Sequence, residues 1–203
     1  MKKFKLFAIV ALLATCTTAS AQFTNSGSNS TSEVDTEGWS SLYVQYNPMS
    51  IKDLDLNGFS LGFNKAFSIS NSIPLYVETG AGLQYAMGDL NDIDWNLFSV
   101  KIPVSLMYKY QFNNSDFAIA PYAGIDFRGN ILGKMEYEGN DANIFDEDDM
   151  GGQEAKRFQV GWHVGLNAYY GKVMLGVSYG TDFNKFIYDE KIKTTSITLG
   201  YCF

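Results

Sequence analysis

At 203 residues the chain is a one-domain length. Its formal charge of −7 argues against a nucleic-acid binder, and no apolar run after the N-terminus reaches the ~18 residues of a membrane helix. An aromatic content of 15% with a mean hydropathy of −0.11 suits strands that are apolar on one face only.

Residues 1–21 read as a secretory signal. Lys2, Lys3 and Lys5 precede a short apolar segment at 6–14, and Ala19-Ser20-Ala21 fits an A-x-A cleavage site. A lipoprotein signal ending at Cys16 competes, with Thr15 a poor residue before a modified cysteine. Once Cys16 is removed, Cys202 can form neither an internal disulfide nor a cysteine metal site. Residues 22–37 are rich in Ser, Thr and Asn and predict a flexible periplasmic tail. Residues 38–203 are then the folded domain.

Eight strands are expected, at 39–46, 57–67, 75–86, 96–112, 117–128, 158–170, 173–182 and 194–203. The fourth is the most regular. Phe98, Val100, Ile102, Val104, Leu106, Tyr108, Tyr110 and Phe112 fall on one phase, and Ser99, Lys101, Pro103, Ser105, Met107, Lys109 and Gln111 on the other. A period of two puts these sets on opposite faces. Short connections at 68–74, 113–116 and 171–172 alternate with longer ones at 47–56, 87–95, 129–157 and 183–193. This is the pattern of an eight-stranded antiparallel transmembrane β-barrel with short periplasmic turns and longer external loops. Tyr110, Phe112, Phe117, Tyr170 and Phe203 would form one aromatic girdle. Tyr46, Phe59, Tyr85, Phe98, Phe127 and Phe158 would form the other.

A soluble lipocalin-like barrel alternates too, but with its apolar face inward. The glycines decide between them. Gly58, Gly62, Gly80, Gly82, Gly124, Gly161, Gly165, Gly176, Gly180 and Gly200 all share the polar phase. A solvated face gains nothing from them, whereas a narrow lumen needs small residues.

The chain closes on Leu199, Tyr201 and Phe203 in one phase. This resembles the terminal signature read by the barrel-assembly machinery. With V-K-I-P-V-S-L-M-Y-K-Y at 100–110, P-Y-A-G-I-D at 121–126 and L-G-Y-C-F at 199–203, the chain resembles the outer-membrane β-barrel domain family common in Bacteroidota. That resemblance implies a small barrel of the OmpA, OmpX and OmpW kind in the cell outer membrane, a PorT-like label among them. It brings no catalytic residues and no cofactor.

Chemistry is sparse. The lumen phase carries Glu78, Lys101, Lys109, Asp126, Arg128, His163 and Asp182. Charges in a tight lumen must pair, so these predict a structural polar network. A small gated pore is the alternative, and an eight-stranded barrel filled by its own side chains disfavours it. His163 is the chain's single histidine. A lipid-modifying enzyme would need it beside a serine or an acid, with Ser178 or Asp182 as the nearest candidates. The segment 129–157 is acidic and predicts a solvated mobile loop. Its run Asp146-Glu147-Asp148-Asp149 approaches a calcium loop, but Met150 and Arg157 stand where oxygen ligands belong; divalent-ion binding there, bridging anionic lipopolysaccharide, is the alternative to a solvated loop. The expected role is therefore structural or surface-binding rather than enzymatic. The expected partners are outer-membrane lipid and lipopolysaccharide, and the expected state is a monomer.

Overall fold

The computed structural model describes residues 37–70, 72–90, 93–113, 115–146, 148, 154–187 and 189–203. The signal at 1–21 and nearly all of the tail at 22–37 lie outside the described residues.

Ten strands form one sheet: β1 (Trp39–Ile51), β2 (Leu54–Ser68), β3 (Leu75–Leu90), β4 (Ile93–Tyr108), β5 (Tyr110–Gln111), β6 (Phe117–Tyr137), β7 (Asn140–Asn143), β8 (Phe158–Tyr170), β9 (Val173–Asp182) and β10 (Lys193–Cys202). β5 continues the wall of β4 beyond a break at Lys109, and β7 is a short hairpin partner of β6. The remaining strands pair antiparallel with their neighbours, and β10 pairs with β1. The sheet is thus a closed eight-stranded antiparallel barrel. Closure removes both edges, so the wall exposes no unpaired ladder.

The alternation sets the faces as expected. Val104 is 41% exposed on the outer face, and the adjacent Ser105 is 3% exposed inside. Leu61, Leu83, Leu106, Leu175, Val177 and Leu199 are also outward and exposed. Tyr46 lies opposite Phe59, Phe59 opposite Tyr85, and Tyr85 opposite Phe98, so one aromatic hoop follows the register around four strands. At the end that carries Phe203, Phe117 lies opposite Tyr170, and the Phe203 ring stands 6.3 Å from that of Phe63. Phe203 and Ser40 exchange two backbone hydrogen bonds, which fasten the last residue to the first strand.

The strands reach further at the opposite end than expected. The segment 47–56 is not a loop. β1 and β2 run up to a two-residue turn at Lys52 and Asp53, with Lys52 at φ 56°. That turn lacks the Asn-Gly or Gly-Gly signature of a tight hairpin, which hid it from the pattern. β6 runs 21 residues to Tyr137 and turns back into β7 through Glu138 (φ 48°) and Gly139 (φ 80°).

The described part of 129–157 is also not the solvated mobile loop its acidity predicted. Ile144, Phe145 and Ala155 are buried with Met49, Ile51, Leu54, Leu56, Phe186, Ile187 and Ile192. The Ile144 N–H donates to Gly133 O and the Ala155 N–H to Ile144 O, so the segment is tied down by backbone bonds. The acids Glu136, Glu138, Asp141, Asp146, Asp148 and Glu154 stay exposed on its outside. Scattered apolar residues among acids carry no period, yet each large one buried contributes about 1.5–3 kcal/mol.

Candidate functional site: the closed lumen

The lumen is stacked in three layers. At the end that carries Phe203 sit Trp39, Tyr43, Tyr76, Met107, Ala118, Ala120, Tyr169 and Met174, all buried. The Trp39 ring meets Tyr76 edge-on at 4.7 Å and Tyr169 at 5.9 Å. The Lys109 ammonium lies 4.3 Å from the centre of the Trp39 ring, so this expected lumen cation belongs to the apolar end layer rather than the polar network. The loop-end apolar cluster closes the other mouth. Between them lie the polar groups.

Glycines decide which polar groups meet. Gly124 stands opposite Ser105 on β4 and opposite His163 on β8. With no side chain between them, Ser105 Oγ and His163 Nε2 come within 2.8 Å across an intervening strand. A Cβ on Gly124 would lie 2.8 Å from that Nε2. Gly161 likewise stands opposite Asp126 and Asp182. Gly165 stands opposite Tyr122 and Ser178, and the Tyr122 phenol occupies the space that a Cβ there would fill. The rule is general for a narrow barrel: a glycine lets the strands on either side of it share a contact.

Charges of the lumen phase pair with one another, and Lys101 falls beside Arg128 and Asp126, as counting along the hairpin predicts. Lys101 lies opposite Arg128 in register but places its ammonium 3.0 Å from Asp126 Oδ2. Arg128 pairs with Asp182 and is capped by Met49 Sδ at 3.9 Å. His163 meets neither Ser178 nor Asp182. Its Nδ1 is 3.0 Å from Asp126 Oδ2, a close approach without the alignment of a hydrogen bond. Glu78 is bonded only weakly, accepting from Asn64 Nδ2 at 3.3 Å. Neutral residues that the charge-based reading passed over complete the layer. Ser99 donates to Asn130 at 2.7 Å, Asn47 donates to Ser60 at 2.6 Å, and Ser196 donates to Asn47 at 2.8 Å. Their shared lumen phase was visible, but their partners sit up to 149 positions away in the chain.

Ser105, His163 and Asp126 make a serine–histidine–acid sequence of contacts. Asp126 is held by Lys101 on the same oxygen that faces the ring. A hydrolase would also need donors for an oxyanion, and the backbone N–H groups beside Ser105 lie in a paired strand. The cavity beside these residues holds about 50 Å³, room for a few waters.

Of the acidic run, Asp146 and Asp148 are described. The Asp148 N–H donates to Asp146 Oδ1 at 3.1 Å, a local turn. Glu147 and Asp149 lie outside the described residues. Among the described residues no group of three or more His, Cys, Asp or Glu side chains converges as a metal site.

No protein-family model matches the chain, and no curated protein does. Among solved structures the barrel is similar to a major outer membrane protein from Thermus thermophilus, at 14% identity and a TM-score of 0.53, covering 82% of this chain and 100% of that one. It is similar to the outer membrane enzyme PagL at 11% identity and a TM-score of 0.52, covering 79% and 98%. It is similar to Neisserial surface protein A at 15% identity and a TM-score of 0.47, covering 82% and 97%. At these identities the likeness is one of fold, and the structural neighbours are small outer-membrane β-barrels.

Proposed function

We propose that this chain is a small monomeric outer-membrane barrel of the Bacteroidota type that conducts no solute and acts through its frame and its outer end. The observation that carries this reading is the three-layer lumen, with an apolar layer across each mouth. The outward apolar face and the aromatic hoops support lipid surroundings. Export by residues 1–21, recognition of Phe203 by the barrel-assembly machinery, and contact with lipopolysaccharide belong to the same reading. Refolded protein should migrate as a compact band that shifts on heating, and planar bilayers carrying it should show no discrete conductance steps. Steps that vanish in Lys101→Ala would replace this reading with that of a pore.

The Ser105–His163 contact is the one observation that favours an enzyme. The sealed mouths, the divided attention of Asp126 and the small cavity weigh against it. A fluorophosphonate should therefore leave Ser105 unmodified in the folded barrel, by mass spectrometry. Modification that His163→Ala abolishes would establish a hydrolase.

A further inference from the structure

Among the described residues, one carboxylate of the polar layer has no cation within ion-pair distance. Among those residues the layer holds the carboxylates of Glu78, Asp126 and Asp182, the cations of Lys101 and Arg128, and the His163 ring, whose Nδ1 lies 3.0 Å from Asp126. Asp126 has Lys101, and Asp182 has Arg128. Glu78 is the carboxylate left over. It is 6% exposed, and its contact is the 3.3 Å bond from an amide. An ionised carboxylate buried without a counter-charge is among the costliest arrangements a fold can hold.

Two orphan atoms mark the place. Glu78 Oε2 and Asn64 Oδ1 are both buried acceptors without a hydrogen-bond partner. The two residues line the same cavity of about 50 Å³. A single positive charge placed between a carboxylate oxygen and an amide oxygen would satisfy both and give Glu78 its counter-charge. We propose that the Glu78–Asn64 pair binds one monovalent cation inside the barrel, either a proton or an alkali-metal ion. A proton would close a cyclic acid–amide pair, with Asn64 Nδ2 donating to Glu78 Oε1 and the acid hydroxyl donating back to Asn64 Oδ1. An alkali ion would take the same two oxygens and complete its shell with cavity water. Tyr43 of β1 and Tyr122 of β6 line the same cavity as Glu78, and Tyr169 of β8 and Cys202 of β10 lie in the adjoining buried layer. Lys101, Asp126 and His163 share the cavity. Lys101 and the His163 ring both lie against Asp126, and neither makes an ion pair with Glu78.

The test uses the full refolded chain. Its thermal unfolding is followed in sodium, potassium and choline chloride at equal ionic strength, and its infrared spectrum is compared with that of Glu78→Gln. An alkali ion predicts unfolding temperatures that rise with sodium or potassium over choline. The ratio of folded to unfolded protein should gain about tenfold at ten times the dissociation constant. The Gln variant should lose that dependence. A proton predicts no difference among the salts but a carboxylic-acid carbonyl band that the Gln variant lacks. If Glu78→Gln fails to fold, Asn64→Leu, which removes one of the two oxygens, should weaken whichever signal the native chain shows. Equal stability in all salts together with no Glu78-dependent acid band overturns the proposal.

Discussion

The outer wall and the lumen of this barrel are built from the same strands under different rules. On the wall, what matters at each position is that the side chain is apolar. Leu61, Leu83, Leu106, Leu175 and Leu199 meet lipid-facing space, and none needs a particular partner. In the lumen each position is defined by another. Ser105 serves His163 only because residue 124 is glycine, and Asp182 holds Arg128 in a layer where a lone guanidinium would be unpaired. A wall of this kind tolerates exchange within one class of residue, while a lumen of this kind tolerates almost none.

Substitutions on the two faces sharpen that contrast. The largest effect is expected from Gly124→Leu. Its Cβ alone would meet the Val104 carbonyl, and the Ser105 Cα at 2.7 Å, which are backbone and cannot rotate away. No heat-modifiable folded band should form. Asp182→Ala comes next. It leaves Arg128 buried and unpaired, and should cost about 3–5 kcal/mol in urea unfolding of the refolded protein. An effect below ~1 kcal/mol would mean that water reaches the guanidinium and that the loop-end layer is not closed.

Val104→Arg tests the wall itself. A charge near mid-membrane on the lipid face should cost about 2–4 kcal/mol. One residue on, Ser105→Arg should fail instead by crowding the lumen, where Ser105 is 3% exposed. Equal tolerance of both in the same unfolding assay would contradict the assignment of faces. The smallest effect belongs to Leu175→Val, 56% exposed on the wall, which should stay within about 0.5 kcal/mol of the native chain. A loss comparable to that of Asp182→Ala would show that the wall is as specific as the lumen.

Outside the barrel wall the electrostatics are weak. Lys185 donates to Asp189 at 2.6 Å and holds its carboxyl below the ordinary carboxylate range. That contribution is present above the unfolded carboxyl's titration and fades as pH falls through the lowered folded value. Both groups are exposed, with side chains 52% and 83% accessible, so acid unfolding should be unchanged by Asp189→Asn.

The apolar period of two was enough to determine eight strands, their facing and the closure of the barrel, because lipid selects only for hydrophobicity at every second residue. β8 and β9 begin and end at the residues the pattern marked. The lumen glycines, all on one phase, also announced a narrow interior. Other features depended on contacts far apart in the chain. The Lys52–Asp53 turn carries no glycine, and the cap around Ile144, Phe145 and Phe186 has no periodicity. The pairing of His163 with Ser105 rather than Ser178, and of Arg128 with Asp182, follows from which strand lies two places around the ring and where glycine leaves a gap. A strand's own sequence states which face a side chain takes. Which side chain it meets there is decided only when the ring closes and the shear of the strands sets the register.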